Sequence, residues 1–337
     1  MKNDRILLAH GSGGKLSDDL IRTVFLPAFG NPTLSRMDDA AVLAGCGRHR
    51  LAITTDCHVV KPLCFEGGDI GRLAVCGTVN DLAMVGAKPL YLVAGFILEE
   101  GLPIDSLKSV ASSMKQAADE AGVAIVAGDT KVVERGSADG MFITTSAIGH
   151  VPEGVEVSGG NARPGDVVLL SGTIGDHGIA VLSKREGLEF GFPVASDVAP
   201  LNHLVEVMLG VSPNIHCLRD PTRGGLATAL NELAAQSGVA IQIDETQIPV
   251  RPSVQAACDM LGLDPLYIAN EGKLIAIAPP EDADKLLDAM RRTKYGEASQ
   301  IIGRVLEAPA GKVLMKTSIG GTRIVQMLMG EMLPRIC

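Results

Sequence analysis

Tryptophan is absent from this 337-residue sequence, and all aromatic residues together make up only 3% of it. The core must therefore be built mainly from aliphatic side chains and methionine, and the chain lacks an obvious aromatic surface on which nucleic acid bases could stack. Positive charge is also scarce, because the net charge is −9. A basic footprint for nucleic acid and a polybasic membrane patch are both missing. We expect no nucleic acid partner and no membrane partner.

Long apolar segments are missing as well. Residues 1–5 lack the apolar stretch of a secretory signal. The most apolar region, residues 82–98, is interrupted by Lys88 and Pro89 and is too short to span a bilayer comfortably. We therefore expect a cytoplasmic protein, and the length favours two domains.

The cysteines argue against a metal ribbon or a disulfide framework. There are seven, an odd number, and no pair has the C-x-x-C spacing. Six lie in apolar sequence surroundings and are predicted to be small core residues: Cys46, Cys57, Cys64, Cys76, Cys217 and Cys258. The seventh, Cys337, is the last residue and follows a segment with two glycine joints, so we expect it on a mobile tail.

Strand and helix patterns alternate on both sides of a turn-rich segment near residues 152–161, which predicts a mixed α/β (α+β) fold. Helices are predicted at residues 17–25, 70–85, 103–121, 178–185, 201–209, 225–236, 254–261 and 281–291. Strands are predicted at residues 51–55, 90–98, 123–127, 141–148, 166–170, 240–243, 274–278, 301–305 and 312–315. The predicted units are a glycine-rich arm with a helix (1–35), two α/β domains (36–151 and 152–325) and the tail (326–337).

Acidic residues recur where predicted elements end. The positions are Asp38, Asp39, Asp56, Asp81 (preceded by Asn80), Asp129 and Asp220. Asp81 is the most informative, because helical spacing places it on a buried stripe where an unpaired carboxylate would be costly, so we expect a cation opposite it. An internal salt bridge or a solvated break in the helix is the alternative there, and helix caps or turns are the alternatives elsewhere. Taken together, the acids predict Mg²⁺ held against a polyphosphate.

Glycine-rich loops accompany these acids. The loop at residues 10–15, which contains Gly13, Gly14 and Lys15, is not a Walker A loop because Leu16 follows the lysine. It either covers phosphates with bare amides and one lysine or is a flexible arm. Arg223 precedes two glycines at the start of a predicted helix, which favours anion binding or tight packing.

Asn270 and Glu271 precede a predicted strand as the sequence Asn-Glu-Gly. The segment is interpreted either as a turn or as the position of a catalytic base, because a buried glutamate can accept a proton.

The order of these motifs resembles the superfamily of aminoimidazole ribonucleotide synthetase (PurM) and selenophosphate synthetase. The matching segments are Asp-Asp-Ala-Ala-Val (38–42), Thr-Thr-Asp (54–56), Asn-Asp (80–81), Gly-Asp-Thr (128–130) and Asp-Pro-Thr-Arg-Gly-Gly (220–225). The likeness covers nearly the whole chain. It implies two PurM-like α/β domains, a homodimer whose interface is a β-barrel formed partly by the first domain, and ATP beneath a mobile N-terminal loop.

Within the superfamily the chain looks like the HypE family of hydrogenase maturation proteins. The features are His-Gly-Ser-Gly-Gly (10–14), Gly-Asp-Thr-Lys-Val-Val (128–133) and the C-terminal Pro-Arg-Ile-Cys (334–337). Met37 departs from the small residue that relatives often have before the aspartate pair. The resemblance implies ATP-dependent removal of water from an S-carbamoyl group on the terminal cysteine, which leaves a thiocyanate for hydrogenase cyanide ligands.

The resemblance also implies roles for residues and partners. The implied catalytic set is Cys337, Lys131, Glu271 and Asn270. The implied nucleotide-binding set is Lys15, Gly13, Gly14, Asp39, Asp56, Asn80, Asp81, Asp129, Asp220 and Arg223. The implied Mg²⁺ ligands are Asp38, Asp39, Asp56, Asp81 and Asp129. The implied partners are the carbamoyltransferase HypF as donor and the HypC–HypD complex as cyanide acceptor.

Two other functions remain open from the residues alone. A small-molecule kinase or a selenophosphate-synthetase-like phosphotransferase would use the same acids and need no terminal cysteine, although this glycine loop lacks the reactive cysteine of the selenium enzymes. A carrier or scaffold would bind ATP without turning it over.

Overall fold

The computed structural model describes residues 6–11, 14–45, 50–188, 194–330, 333 and 335–337. The described chain begins with a series of short helical turns. They are a 3₁₀ turn Leu8–Gly11, α1 Gly14–Leu20, a π-helical turn Ile21–Phe25, α2 Leu26–Phe29 and a 3₁₀ turn Leu34–Arg36. The helix predicted at 17–25 is therefore part of a longer, interrupted helical segment.

The first domain is a five-stranded sheet with two helices on one face. Its strands are β1 Ala41–Ala44, β2 Arg50–His58, β5 Lys88–Glu99, β6 Ala124–Val133 and β7 Met141–Val151; β3 Cys64–Phe65 and β4 Gly68–Asp69 form a separate hairpin. The sheet order is β1-β2-β7-β5-β6, and only β5 and β6 pair in parallel. The helices are α3 Ile70–Met84 and α4 Ile104–Ala121.

Helix α3 is buried almost throughout, because it packs against the sheet, against α4 and against the second domain. It begins at Asp69, whose carboxylate accepts a hydrogen bond from the backbone N–H of Arg72 at 2.8 Å. A Cβ at Gly71 would lie 2.6 Å from the carbonyl oxygen of Val110, so glycine allows α3 and α4 to approach closely. This helix carries the Asn80–Asp81 pair into the space between the domains.

The second domain is a seven-stranded sheet of order β14-β13-β10-β12-β8-β11-β9, in which only β10 and β13 are parallel. Its strands are β8 Val167–Leu170, β9 Cys217–Arg219, β10 Ala240–Asp244, β11 Ile275–Ala278, β12 Gln300–Leu306, β13 Lys312–Lys316 and β14 Thr322–Val325. Its helices are α5 Asp176–Glu186, α6 Asn202–Val211, α7 Gly225–Ser237, α8 Pro252–Leu261 and α9 Pro280–Arg291. Among the described helices of both domains, none has the length and apolar character to cross a membrane.

One hydrophobic core continues from the first domain into the second, joining Leu73 and Leu82 of α3 to Leu201 and Leu286. A polar contact joins the same two domains. Arg72 and Lys294 approach the carboxylate of Glu120 to 2.9 and 2.7 Å, and the hydroxyl of Tyr295 donates to it. Although burial opposes ionisation of Glu120, hydrogen bonds from Lys294, Tyr295 and Arg72 lower its pKa to about 2.

Each predicted helix and strand has a counterpart, with ends that differ by a few residues in either direction, but three corrections apply. Five strands of two to four residues were not predicted, because so few residues cannot show an alternating pattern: β1, β3, β4, β9 and β14. Strand β6 continues to Val133, so Asp129 lies inside the strand and not after it. Two of the cysteines predicted to be core residues, Cys57 and Cys64, are exposed; Cys76, Cys217 and Cys258 are buried, and Cys46 lies outside the described residues.

Candidate active site

The final residues of the chain dock between the two domains. The backbone N–H groups of Val59 and Lys61, which follow β2, donate to the carbonyl oxygens of Cys337 at 3.1 Å and Arg335 at 3.3 Å. Ile336 is only 1% exposed and belongs to the hydrophobic core. The described end of the segment that the sequence predicts to be a mobile tail, residues 335–337, is therefore seated, with its thiol directed into the molecule.

Arg223 is the direct partner of this thiol. Its Nη2 and Nε lie 2.8 and 3.2 Å from Sγ of Cys337. The arginine occupies the turn before α7, where Gly224 and Gly225 both have positive φ angles of 85° and 63°. Burial raises the pKa of the Cys337 thiol to about 11, although Arg223 opposes that shift, so the thiol is neutral near pH 7.

The side chain of Glu271 faces the same space, and one of its carboxylate oxygens is available to accept a proton. Its side chain is buried, and Oε1 has no hydrogen-bond partner among the described residues. Burial raises the pKa of Glu271 well above its usual range, the charges of Asp220 and Asp56 add to the shift, and Arg223 opposes it. Glu271 also raises the pKa of the Cys337 thiol. A carboxyl group in this position can hold or accept a proton next to the sulfur.

Asp81 lies in a cluster of like charges. Its pKa is raised well above the usual range by burial and then by the charges of Asp56, Asp220 and Asp39. Within the described part of the chain, its side chain accepts one hydrogen bond, from Thr54, whose Oγ1 lies 2.7 Å from Oδ2. No lysine or arginine among the described residues forms an ion pair with Asp81, so the expected cation does not come from that part of the chain.

Asp220 and Asp56 complete this acidic cluster. The pKa of Asp220 is raised to about 8 by burial and by Asp39, although Arg219 opposes the shift. Asp56 follows Thr54 and Thr55 in β2 and lies close to Gly77 of α3, where a Cβ would be 3.3 Å from its Oδ2. Mutually repelling carboxylates of this kind fit a bound cation, because a positive charge would relieve the repulsion.

The acidic residues do not form a preformed cage, however. Within the described ranges, no three His, Cys, Asp or Glu side chains come together in a metal-binding group. The chemistry of the donor set fits Mg²⁺, since this ion commonly takes one or two carboxylates and completes its shell with water and phosphate oxygens. We therefore regard Asp56, Asp81 and Asp220 as residues that fit such an ion together with a phosphate ligand.

Asp38 and Asp39 are already engaged. Asp38 accepts a hydrogen bond from Oγ of Ser158 at 2.9 Å and pairs with Arg36 at 3.0 Å. Asp39 forms an ion pair with Arg219, and burial followed by the charge of Asp38 raises its pKa against the opposing effect of Arg219. These two aspartates thus connect the start of β1 to the second domain.

The two asparagines use their amides on the backbone. Asn80 donates to the carbonyl oxygen of Ala199 at 3.1 Å and accepts from the N–H of Leu201 at 2.8 Å. Asn270 accepts from the N–H of Gly175 at 2.7 Å, and its NH₂ group donates to two backbone carbonyls. Both residues are buried. They hold loops next to the candidate site in place.

Asp129 and Lys131 lie on the other face of the sheet. In the strand register, Asp129 pairs with Gly95, Gly95 with Thr144, and Thr144 with Cys57. Paired residues share a face and consecutive residues alternate, so Asp129 and Asp56 point to opposite faces. Asp129 and Lys131 contact each other at 2.6 Å, and both side chains are about 70% exposed. The described chain does not bring them to the Cys337 thiol.

The glycine-rich loop packs against the segment that leads to the C-terminus. The N–H of Lys15 donates to the carbonyl oxygen of Leu328 at 3.0 Å. Gly14 has a φ of 71°, and a Cβ there would lie 2.4 Å from the same oxygen. The Lys15 ammonium pairs with Asp19 at 3.0 Å. Gly13 lies outside the described residues.

A cavity of about 730 Å³ separates the N-terminal helical segment from α7. Its polar lining includes Arg22, Arg36, Asp38, Arg219 and Glu232. Arg219 is buried, and its Nε has no hydrogen-bond partner among the described residues. The volume lies within the usual range for small-molecule sites, and the arginines suit an anionic or polar ligand.

Three residues near the thiol were not singled out from the sequence. Buried His58 lies 3.5 Å from Asp56, buried His177 lies 2.9 Å from the carbonyl oxygen of Ile336, and Asp197 accepts a hydrogen bond from the N–H of Glu271 at 3.0 Å. For His177 a signal existed, because it follows a glycine-rich turn that opens α5. Nothing in the local sequence marks His58 or Asp197.

Comparisons with known proteins show similarity along nearly the whole chain. Residues 37–151 match the family model "AIR synthase related protein, N-terminal domain", and residues 163–316 match "AIR synthase related protein, C-terminal domain". "Carbamoyl dehydratase HypE" of Cupriavidus necator is 56% identical over 337 residues, which is 100% of this chain and 96% of that protein.

Two solved structures show the same similarity in three dimensions. The "HypE-HypF complex" has a TM-score of 0.88 and 52% identity, with 92% of this chain and 99% of that chain covered. "Hydrogenase Maturation Protein HypE in complex with ATP" has a TM-score of 0.84 and 53% identity, with 99% and 100% covered.

Proposed function

Because this chain belongs to the AIR synthase related family and, within it, to the HypE proteins, we propose that it is an ATP-dependent carbamoyl dehydratase acting on its own Cys337. The observation that carries this proposal is the position of the terminal thiol. It contacts the guanidinium of Arg223, and Glu271 lies near enough for its charge to shift the pKa of the thiol. A small-molecule kinase would have no need to seat its last residue there.

The reaction removes one water from the S–CO–NH₂ group and leaves S–C≡N. The amide oxygen bonds to the γ-phosphorus of ATP, and the bond from that phosphorus to the ADP oxygen breaks. The nitrogen then loses its two protons, the carbon–oxygen bond breaks, and phosphate leaves with the oxygen. The S-carbamoyl group and ATP thus give thiocyanate, ADP, hydrogen phosphate and one proton, because one of the two nitrogen protons ends on the phosphate and the other is released to solvent. The phosphate ester is the better leaving group, which is why ATP is required.

Glu271 and Arg223 have separate tasks in this proposal. Glu271 accepts a proton from the amide nitrogen, since its Oε1 is buried and lacks a partner among the described residues. Arg223 orients the sulfur and offsets negative charge that develops on the adjacent group. Asn270 supports the site by hydrogen bonding to Gly175, in the loop before α5, and to Pro221, in the loop before Arg223.

The acidic cluster and the glycine-rich loop are proposed to bind the triphosphate. Mg²⁺, when bound at Asp56, Asp81 and Asp220, would neutralise phosphate charge. Gly14 lets the loop pack closely against Leu328, and Lys15, next to it, supplies a cation once it leaves Asp19. The cavity beside Asp38 and the aspartate–arginine pairs at the start of β1 are proposed to receive the rest of the nucleotide.

The tail requires partners. A HypF-type carbamoyltransferase is proposed to load the thiol, and a HypC–HypD-type complex is proposed to take the cyanide. Backbone hydrogen bonds from Val59 and Lys61 hold the described tail residues, together with the side chains of Arg223, His177, Arg185 and Asp139. Release of the tail breaks these contacts but needs no rearrangement of either sheet.

A second copy of this chain is proposed to cover the open face of the first sheet. That face presents Ile53, Tyr91, Val93 and Ile97, each more than a third exposed, beside the long unpaired edge of β6. Apolar residues and an open edge of this kind are unfavourable in contact with water. Pairing two such faces would also bury Asp129 and Lys131 in the homodimer interface.

The test is mass spectrometry of the C-terminal peptide released by cleavage after Glu331. The protein is incubated with a HypF-type carbamoyltransferase, its carbamoyl donor and ATP-Mg²⁺, and a parallel sample receives ATP-Mg²⁺ only after the donor system is removed. The proposal requires a gain of one carbamoyl group on Cys337 and an ATP-dependent loss of one water. A peptide that stays unmodified beside an active transferase would instead favour a small-molecule kinase.

A further inference from the structure

The carbonyl group of Ile336 is held by a side chain and not by the backbone segment after β2 that holds its neighbours. The carbonyls of Arg335 and Cys337 accept from Lys61 and Val59 on one side of the tail. Alternation along an extended chain directs the intervening carbonyl to the other side. There, Nε2 of His177 lies 2.9 Å from the Ile336 oxygen.

The hydrogen-bond partners of His177 determine which of its ring nitrogens carries the proton. A carbonyl oxygen can only accept, so Nε2 must carry the proton that bonds to Ile336. In the neutral ring Nδ1 must then accept, and Oγ of Ser196 lies 2.8 Å from it. The same Oγ accepts from the N–H of Val198 at 3.1 Å, which leaves its own proton for the imidazole. Burial lowers the pKa of His177, which agrees with the neutral form.

The segment that orients His177 also positions Glu271. Asp197 accepts from the backbone N–H of Glu271 at 3.0 Å and pairs with Lys273 at 3.0 Å. The N–H of Ala199 donates to the carbonyl oxygen of Glu271 at 3.3 Å. One short stretch, residues 196–199, therefore fixes both the base proposed above and the histidine that holds the tail.

We propose that His177 is a positioning residue for the dehydration step, an inference that rests on the function proposed above. By holding the Ile336 carbonyl, it sets the direction of the Cys337 side chain towards Arg223 and Glu271. In the described chain its ring contacts Ser196, the Ile336 carbonyl and Phe65, and not the thiol group. Its ring also packs edge-on against Phe65, with centroids 5.3 Å apart, so a purely packing role is the alternative that the test must separate.

The test compares His177→Leu with His177→Gln. Leucine fills space without donating, whereas the glutamine NH₂ reaches roughly where Nε2 lies and can donate to Ile336. In single-turnover measurements with carbamoylated protein and saturating ATP-Mg²⁺, we expect His177→Leu to slow water loss about tenfold or more, because a buried carbonyl loses its donor. We expect His177→Gln to recover most of the rate. Ser196→Ala should give a smaller loss.

Two further readouts distinguish positioning from loss of structure. The rate of carbamoylation by the transferase should stay near wild type, because the loading reaction takes place with the tail released. The melting temperature should also stay near wild type. Alkylation of the unmodified Cys337 thiol should become faster in His177→Leu and return towards wild type in His177→Gln.

Equal impairment of His177→Leu and His177→Gln, or a wild-type rate in both, would overturn the assignment. If His177→Leu does not fold, Ser196→Ala decides the question with the same readouts, and a wild-type dehydration rate there counts against the proposal. If wild-type protein fails to dehydrate its carbamoyl group, the proposed function fails. The alkylation comparison still tests whether His177 holds the tail.

Discussion

The guanidinium of Arg223 and the thiol of Cys337 are 114 residues apart in the sequence, yet Nη2 lies 2.8 Å from Sγ. Two N–H groups converge on one sulfur, and the arginine is fixed by a turn of two glycines before α7. The contact places the last residue of the chain next to the acidic cluster. The predictions below test this contact and the residues around it.

Arg223→Lys should slow dehydration of the carbamoyl group about 10- to 100-fold, because lysine keeps the charge but cannot place two N–H groups on one sulfur. Single-turnover kinetics with carbamoylated protein measure the effect. Arg163→Lys, an exposed position in the second domain, is the matched control and should behave like wild type. An unchanged rate in Arg223→Lys would show that the contact has no part in the reaction.

Glu271→Gln should slow dehydration about 10²- to 10⁴-fold, the usual contribution of a positioned base. Since the pKa of Glu271 is raised, more of the base ionises as pH rises, so the wild-type rate should increase with pH and the variant should lose that increase. A pH–rate profile of single-turnover water loss measures this. Exposed Glu153→Gln is the control. A Glu271→Gln profile that rises as in wild type would rule out the role.

Asp81→Asn should abolish ATP turnover. Near pH 8 and without nucleotide, the free energy of unfolding of the variant should exceed that of wild type by about 1–2 kcal/mol. The folded protein holds a proton on Asp81 that the unfolded chain releases, because the pKa is raised in the fold. Stability from this group is therefore present below its unfolded pKa and is lost as pH rises. Asparagine does not ionise, so the variant should not lose this stability as pH rises, and its side-chain oxygen still accepts a hydrogen bond from Thr54.

Thermal melts of both proteins between about pH 5 and about pH 8 measure the Asp81 effect. The wild-type melting temperature should fall more steeply with pH, and ATP-Mg²⁺ should raise it more than in the variant. A variant that melts well below wild type at every pH would mean that Asp81 is a structural residue.

Val93→Arg should convert the proposed homodimer into monomers, since a buried unpaired charge in an interface is strongly unfavourable. Sedimentation equilibrium measures the mass. Ile104→Arg replaces another exposed apolar residue, at the start of α4, and should leave the dimer intact. A wild-type protein that sediments as a monomer, or a Val93→Arg protein that remains a dimer, would contradict the use of this sheet face.

Much of the fold is encoded locally. Helix α4 has clear apolar periodicity, and the left-handed Gly122 that ends it marks its boundary in the sequence; α3 is instead apolar along almost its whole length. Strand β9 could not be predicted, because three residues carry no pattern and its position depends on pairing with β11. The extent of β6 was underestimated because Gly128 and Asp129 are poor strand residues locally, and pairing with β5 overrides that preference.

The sequence by itself determined which residues are candidates for the chemistry: the acidic positions, the glycine loops and the terminal cysteine. Only the tertiary structure decided what each of them faces. It placed Asp129 and Asp56 on opposite sheet faces, tied the amides of Asn80 and Asn270 to backbone, and brought Cys337 to Arg223. The physical reason is that local pattern fixes an element's type and buried side, whereas the partner of a buried polar group depends on how distant elements pack.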